Sequence, residues 1–459
     1  MSAALAARST FAAALTRYSR SWGLWILLLI APVGARLFVP RGDGTAIVIS
    51  IADHLPVMTA PVIGVCLGVV VSTLLLPAAY IYLRANTNRR QPWQIAEVTA
   101  APRVAIAFGR FGADLAVLFG ALAALNAAGI FLAWLILPWR AFDPAALSFA
   151  LWVIAGPAVM GLAAIRTLFD AAPLLRGALG DFAYLVLWIA SLAAPSGAAI
   201  SESNFSANML DFGGFVRPLV FGAGLSDPNF AIGGAAVKPG RIPIDAMAGL
   251  FSPGYLPSRL AWAGIALAVV AVAGLIYRPH RARNRPSLTA RAGKLLEVGP
   301  APAADPEAGA AERCALPALN LFAAEFRLIG AGRLFKLLAL AVAVAGIVTD
   351  ATPALLLLLV FALTAHAGRS ESAGLRALTR TVPGNPWARR AAFVVAGSAW
   401  AALIALPHVL RQLDPIGFGM TAGLGGVAAI AAIGLAALSG SSFAPRLVLL
   451  IAWYAYTAS

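Results

Sequence analysis

Long apolar runs separated by short polar segments dominate the hydrophobic pattern of this chain. A run of about 20 apolar residues is long enough to cross the hydrocarbon core of a bilayer as a helix. The pattern therefore predicts an all-α polytopic membrane protein with about eleven (10–12) transmembrane helices. The predicted spans are residues 22–38, 59–83, 111–137, 145–164, 182–194, 260–277, 334–348, 353–366, 391–410, 421–438 and 443–456.

The composition supports the same class. Of the 459 residues, 61% are hydrophobic and only 12% are charged, and the mean hydropathy is +0.84. These values lie far from those of soluble globular domains. A soluble protein is therefore excluded.

The longest basic interruption of the first half is residues 84–110. Arg89 and Arg90 follow an apolar run, Pro92 suits the first turn of a helix, and Pro102 ends that helix. A short helix at the membrane surface is predicted for residues 91–101. This segment either binds a soluble partner that transmits force to the membrane helices, or it is a positively charged loop that only fixes the topology.

After residue 316, the order of predicted elements seen in the first part of the chain is predicted to repeat. Placing Pro383 over Pro102 aligns the polar segment 369–390 with the basic interruption of the first half. Each segment follows two predicted spans, and an amphipathic stretch precedes each pair, at residues 9–21 and 319–331. We interpret the order of features as an internal duplication. Two alternatives stay open: the basic loops resemble each other by chance, and residues 9–21 simply extend the first span.

This order of predicted elements divides the chain into three regions. Residues 1–285 form a first transmembrane half with six spans and a large outer excursion at 195–259, whose many aromatic residues predict an ordered cap. Residues 286–315, rich in proline and alanine, form a cytoplasmic linker. Residues 316–459 form a second half with about five spans.

The chain carries a net charge of +15, and its basic residues are unevenly distributed between the predicted inner and outer segments. Twenty-six lysines and arginines fall in predicted inner segments and eight in outer ones, so the amino terminus is predicted to be cytoplasmic. Anionic lipid headgroups are the simplest counter-charge. No nucleic acid is needed as a partner. The first apolar run is predicted to be retained as a helix rather than cleaved as a signal peptide.

Candidate chemistry is sparse. The four histidines form no H-E-x-x-H pair, Cys66 and Cys314 fall in separate predicted compartments, and no phosphate-binding G-x-x-x-x-G-K-[ST] motif occurs. We predict no catalytic, cofactor-binding or metal-binding residues, which disfavours an enzyme. A secondary transporter usually carries ionisable groups within the bilayer, whereas Asp114, Arg166 and Asp170 fall at predicted inner ends. Asn126, in the middle of the third span, is assigned to helix packing.

With this layout, the chain resembles the permease subunits of type-2 ABC exporters, with two halves fused in one polypeptide. The resemblance implies interfacial elbow helices at 9–21 and 319–331, cytoplasmic coupling helices at 91–101 and 372–381, and a re-entrant outer hairpin within 195–259. Two features depart from the family pattern. The second half has five predicted spans instead of six, and it has no counterpart of the long outer hairpin.

The resemblance implies a transport subunit of a bacterial cytoplasmic (inner) membrane that exports a hydrophobic, lipid-like or peptide substrate. ATP hydrolysis would come from a separate ABC ATPase subunit, present in two copies. A secondary transporter or channel without an ATPase is the alternative. The coupling helices would bind the ATPase through Trp93, Ile95, Glu97, Val98, Leu375 and Leu378.

Overall fold

A computed structural model gives the fold of most of the chain. It describes residues 2–38, 48–87, 101–175, 178–197, 203–224, 230–233, 238–277, 317–367, 386–439 and 443–458. The described residues are mostly helical, and the chain divides into two compact units, Met1–Ala282 and Arg283–Ser459.

The helices of the first unit begin with a broken pair. The first helix ends at Ser19, and the second begins at Trp22, so the chain leaves helical geometry at Arg20 and Ser21. A third helix continues through a π-helical turn, Val71–Leu75, into a fourth. The helices are α1 (Ala3–Ser19), α2 (Trp22–Phe38), α3 (Ala60–Val70), α4 (Leu76–Thr87), α5 (Arg103–Ile136), α6 (Pro144–Ala171), α7 (Ala178–Ala193), α8 (Phe205–Leu210), α9 (Val216–Ala223), α10 (Ala246–Leu250) and α11 (Tyr255–Ile276).

Local sequence accounts for the starts of the long helices. The Asp143 carboxylate accepts hydrogen bonds from the amides of Ala145 and Ala146, both at 3.0 Å, and Pro144 takes the first helical position of α6. Pro102 stands immediately before α5. The predicted proline boundary between the basic segment and the third span is therefore present.

The second unit holds α12 (Pro317–Ile329), α13 (Arg333–Val348), α14 (Thr352–His366), α15 (Pro386–Gln412), α16 (Pro415–Ser439) and α17 (Phe443–Ala458). The chain turns by 88° between α12 and α13. Trp400 of α15 stabilises this turn, since its ring stacks on Phe326 and its Nε1 donates to the Phe326 carbonyl at 2.9 Å. The predicted elbow segment 319–331 is thus a separate helix that lies across the next one.

Helix covers almost all residues of the eleven predicted spans, but the count of eleven transmembrane helices is not confirmed. By length and composition, six helices in the described residues can cross a membrane, or seven if the bent pair counts as one span. These six helices are Ala60–Arg84, Arg103–Ile136, Pro144–Ala171, Tyr255–Ile276, Trp387–Gln412 and Pro415–Leu438. The chain is therefore a predominantly helical polytopic protein.

The two units pair their helices in the same way. The first helix of each unit packs on the helix that follows the predicted coupling segment, so that α1 contacts α5 and α12 contacts α15. The pairs α2–α3, α2–α5, α3–α5, α3–α6 and α5–α6 of the first unit recur as α13–α14, α13–α15, α14–α15, α14–α16 and α15–α16. This shared pairing supports the interpretation of the chain as an internal duplication.

Two small sheets were missed by the sequence analysis. Strand β1 (Val48–Ile51) pairs antiparallel with β3 (Phe230–Gly233), and β2 (Leu55–Pro56) pairs parallel with β4 (Arg241–Ile242). They join the loop after α2 to the large excursion before α11. The predicted cap is therefore ordered in its described parts, but it is not purely helical.

The contact between α1 and α5 depends on a glycine. A Cβ atom built on Gly109 would lie 2.4 Å from the Ala7 carbonyl oxygen and 3.0 Å from the Thr10 Cβ, whereas one on Gly120 of the same helix meets no atom within 4 Å. We expect Gly109→Ala to lower the free energy of unfolding by about 1–3 kcal/mol through overpacking. The matched control, Gly120→Ala, should be neutral or slightly stabilising because alanine favours helix. Thermal unfolding followed by circular dichroism compares the two, and equal stabilities would contradict the close contact.

Candidate functional site

The predicted partner-binding residues lie outside the described part of the chain. Trp93, Ile95, Glu97 and Val98 belong to the segment 88–100, and Leu375 and Leu378 to the segment 368–385. The structure does describe the helices on either side of both segments. The polar contacts of these flanking helices therefore define the candidate site.

A chain of buried polar side chains joins the flanking helices of the first unit, and we call it the ionic network. The Tyr18 hydroxyl donates to Asp114 Oδ1 at 2.5 Å, and Arg166 Nη1 lies 2.7 Å from Asp114 Oδ2. Asp170 contacts Arg166 Nη2 at 3.1 Å and Arg84 Nη1 at 2.9 Å. The network thus links α1, α4, α5 and α6.

All five side chains of the network are between 1% and 9% exposed. A buried charge is costly unless an opposite charge and hydrogen bonds compensate it. Arg84 gains a further acceptor, since its Nη2 donates to the Leu175 carbonyl at 3.0 Å. Removal of one member would leave its partner charged and buried, so the network holds the four helices in a defined arrangement.

The ionic network corrects one statement of the sequence analysis. Anionic lipid was assigned as the counter-charge of the inner basic residues. For Arg84 and Arg166 this assignment was wrong, because Asp170 and Asp114 neutralise them within the protein. The carboxylates at predicted inner ends, which looked isolated in the sequence, are brought together here.

The phenol of Tyr18 should give the network a dependence on alkaline pH. Burial raises the pKa of Tyr18 well above its ordinary value, and the charge of Asp114 raises it further. Because the pKa is higher in the folded chain, the stabilising effect is complete below the unfolded value of about pH 10 and is lost as the pH rises towards the folded value. We expect Tyr18→Phe to flatten the fall of stability above about pH 10. Thermal unfolding at several alkaline pH values measures this slope, and identical slopes in both proteins would contradict the assignment.

In the second unit, different residues connect the helices that flank the predicted coupling segment to other helices. Arg389, near the start of α15, pairs with Glu325 of α12 through Nε and Oε1 at 2.8 Å. Arg446 of α17 donates to the Thr364 hydroxyl at the end of α14, at 3.0 Å. Glu325 is buried although it interrupts the apolar face of its helix. Its ion pair explains this interruption.

A second polar cluster lies in the outer excursion, at the turn between α8 and α9. The Asp211 carboxylate accepts hydrogen bonds from the amides of Gly214 and Arg217 at 2.8 Å and 3.0 Å. Arg259 of α11 donates to the carbonyls of Asn208, Asp211 and Phe212 at 2.9 Å, 2.5 Å and 3.1 Å. Gly214 adopts a φ of +75°, which suits glycine. These backbone amides and carbonyls of the turn thereby have hydrogen-bond partners within the protein.

This turn lies against the membrane helices of the first unit. A Cβ on Gly213 would lie 3.0 Å from the Ser72 hydroxyl in the π-helical turn between α3 and α4, and one on Gly161 of α6 would lie 2.8 Å from the Phe212 ring. Irregular backbone within a bilayer is tolerated only where protein buries it. Arg217 and Arg259 were counted as outer loop charges, yet both are buried at this turn. They contact the turn between α8 and α9 and do not report topology.

No group of three metal-binding side chains occurs among the described residues. The second unit does contain a small cavity of about 130 Å³, lined by Asp350, His408 and Asp414 among others. His408 Nδ1 lies 2.9 Å from the Gly346 carbonyl, so this nitrogen carries the proton and donates. Hydrogen bonds from Thr352 lower the pKa of Asp350. These contacts mainly fix the ends of α13, α14 and α16.

Comparisons of the chain with protein families, with curated proteins and with solved structures find no match.

Proposed function

We propose that this chain is the membrane-spanning permease subunit of an ATP-driven ABC transporter. One observation supports the proposal most strongly. In both units, the helices that border the predicted coupling segment are connected to the first helix of the unit or to later helices by polar contacts, which are buried in the first unit and partly buried in the second. A displacement of either segment would therefore move several helices together, as an external ATPase requires.

The path of such a displacement can be followed in the first unit. Movement of α4 acts on α6 through Arg84 and Asp170, and movement of α5 acts on α6 and α1 through Asp114. Helix α6 in turn contacts Phe212, in the turn between α8 and α9, at Gly161. The coupling segment at one end and this turn at the other would then respond as connected parts.

The finer features of the proposal follow the sequence. Eleven spans and a cytoplasmic amino terminus match the apolar runs and the distribution of basic residues, and the family resemblance implies a bacterial cytoplasmic membrane. The substrate would be hydrophobic, lipid-like or a peptide, and it would be exported. ATP would be hydrolysed by a separate ABC ATPase, in two copies.

Co-purification with an ATPase tests the proposal directly. The full chain, tagged and expressed in its native host, should retain a soluble ABC ATPase in mild detergent, and the reconstituted complex should hydrolyse ATP. Isolation of a chain that binds no ATPase and transports without ATP would contradict the proposal.

A secondary transporter is the second candidate, and the ionic network favours it. Although Asp114 and Asp170 fall at predicted inner ends, both are buried carboxylates, and buried ionisable groups in membrane helices often bind coupling ions. A carrier of this kind would move substrate when a proton gradient is imposed across vesicles without ATP. An ATPase-dependent permease would not.

Orientation gives a separate prediction. Lys238 is exposed beside Asp53 in the predicted outer excursion, whereas Arg90, Arg176 and Arg285 belong to predicted inner segments. With Cys314 replaced by serine and Cys66 buried, an impermeant thiol reagent on intact cells should label Lys238→Cys. It should not label cysteine at the other three positions. Labelling at position 285 would mean that the number of preceding spans is wrong by an odd number.

A further inference from the structure

The cavity of the second unit lies where the turn between α13 and α14 meets the turn between α15 and α16. Its volume of about 130 Å³ is close to that of an apolar cavity of about 150 Å³ that holds benzene. Leu355, Ile404 and Ala405 are buried and form its inner wall, whereas Asp350 and Asp414 are exposed and stand at its mouth. The cavity therefore combines an apolar interior of molecular size with an acidic entrance.

The two carboxylates cap helices and still present negative charge at this entrance. Asp350 Oδ1 accepts from the Thr352 amide at 2.9 Å, and Asp414 Oδ1 accepts from the amides of Ile416 and Gly417 at 3.1 Å and 3.0 Å. Gly417 lines the cavity, and a Cβ atom there would collide with Asp414 Oδ2. Glycine thus leaves room for the second oxygen of this carboxylate.

The basic side chains nearby are engaged with backbone carbonyls. His408 lines the cavity, and its Nδ1 donates to the Gly346 carbonyl at 2.9 Å, so Nε2 of the neutral ring is an acceptor. Arg411, further along α15, donates to the carbonyls of Ile347 and Val348 at the end of α13 and does not line the cavity. Within the part of the chain that the structure describes, neither carboxylate forms an ion pair. A cation can therefore approach both.

The acidic entrance is formed by described residues. Both turns at the mouth, residues 349–351 and 413–414, are described completely. The undescribed segments 368–385 and 440–442 follow the opposite ends of α14 and α16. With a rise of about 1.5 Å per residue, these helix ends lie about 20 Å or more from the mouth.

We propose that this cavity binds a small hydrophobic amine as its ammonium cation. The apolar body would lie beside Leu355 and Ile404, and the ammonium, with its N–H donors, would bind Asp350 and Asp414 at the mouth. Metal ligands must approach to about 2.0–2.2 Å, whereas N–H···O hydrogen bonds span about 2.7–3.2 Å. Because the described residues contain no group of three metal ligands, an ammonium fits this spacing better than a metal ion does. The site lies within the second unit and needs no ATPase, so its failure would leave the proposed function untouched.

Equilibrium dialysis of the purified full chain in neutral detergent tests the site, with benzylamine as the probe. Dialysis against empty micelles corrects for partition into the detergent. We expect the wild type to bind benzylamine more tightly than benzyl alcohol, which lacks the charge, and than methylamine, which lacks the apolar body. Asp350→Asn and Asp414→Asn should each weaken benzylamine binding by about three- to tenfold, between the values for an exposed ion pair and for a charged hydrogen bond.

Asparagine is also a good helix cap, so both variants should fold, and thermal unfolding verifies this. Asp143→Asn is the matched control, because Asp143 is an exposed cap of the same kind at the start of α6, outside the cavity. This variant should bind benzylamine as the wild type does. If the wild type bound benzylamine no better than benzyl alcohol, or if all three variants bound it equally, the proposal would be overturned.

Discussion

Replacement of Asp114 with leucine should destabilise the folded chain by about 3–5 kcal/mol, the usual cost of leaving a buried partner charge uncompensated. Arg166 would lose its contact at 2.7 Å, and the Tyr18 hydroxyl would lose its acceptor at 2.5 Å. The free energy of unfolding in mixed micelles, from titration with a denaturing detergent, measures the effect. Tyr18→Phe removes only one hydrogen bond, so it should cost about 1–2 kcal/mol.

An exposed ion pair of the same unit supplies the control. Lys238 and Asp53 lie 3.1 Å apart, with side chains 63% and 41% exposed. Exposed pairs contribute about 0–1 kcal/mol, so Asp53→Asn should change stability little. If Asp114→Leu cost no more than Asp53→Asn, the ionic network would have no structural role, and its place in the proposed coupling path would be lost.

The positions of the helices could be predicted well because their cause is local. A bilayer demands about 20 apolar residues, and proline marks boundaries, as Pro102 does for α5. The errors of prediction lie at the ends of the predicted spans. The third span was predicted from residue 111, whereas α5 begins at Arg103, because arginine near a helix end can extend to the membrane surface without ending the helix.

The ionic network could not be predicted because its pairs are distant in sequence. Asp114 and Arg166 are separated by 52 residues, and Arg84 and Asp170 by 86. Hydropathy places each residue at a predicted inner end but cannot say which ends meet. One signal was present: opposite charges at the same predicted depth in otherwise apolar helices should be expected to pair.

In the outer excursion, the sequence predicted order but neither the strands nor the buried arginines. Its aromatic content predicted order, and the described part is ordered. The short β-branched run before Ile51 was overlooked because a four-residue strand has little periodicity and its partner lies far along the chain, at Phe230–Gly233. Arg217 and Arg259 were read as loop charges, since burial of the Arg259 guanidinium depends on backbone carbonyls that only the folded turn brings near.

Helix pairing supports the interpretation of a duplication, whereas residue chemistry does not. In the first unit, an acid on α5 receives a hydrogen bond from a tyrosine of α1. In the second, a base on α15 pairs with an acid of α12. The same helices are tied in both units by different side chains. The order of elements is therefore more informative about a duplication than the identities of these side chains are.

The largest functional effect is expected at the predicted coupling helices. Trp93 belongs to the first polar segment and Leu378 to the second, and neither falls in a predicted span. Buried aromatic anchors typically contribute about 2 kcal/mol or more to an interface. We therefore expect Trp93→Ala to weaken association with an ATPase subunit by about 30-fold. Glu97→Lys should act in the same direction by reversing a charge, and Leu378→Ala should add to the loss.

Trp139 provides the matched control, because it is 78% exposed in the turn after α5, on the side that is predicted to face outward. Trp139→Ala should leave ATPase association unchanged, and all variants should insert into the membrane at wild-type levels because the apolar runs are intact. Affinity is measured by titrating the purified ATPase against each variant in nanodiscs, together with substrate-stimulated ATP hydrolysis. If the Trp93→Ala, Leu378→Ala double variant kept wild-type association and hydrolysis, neither segment would couple to an ATPase. Their basic residues would then act only as topology signals, and the buried contacts at their flanks would stabilise the fold without transmitting force.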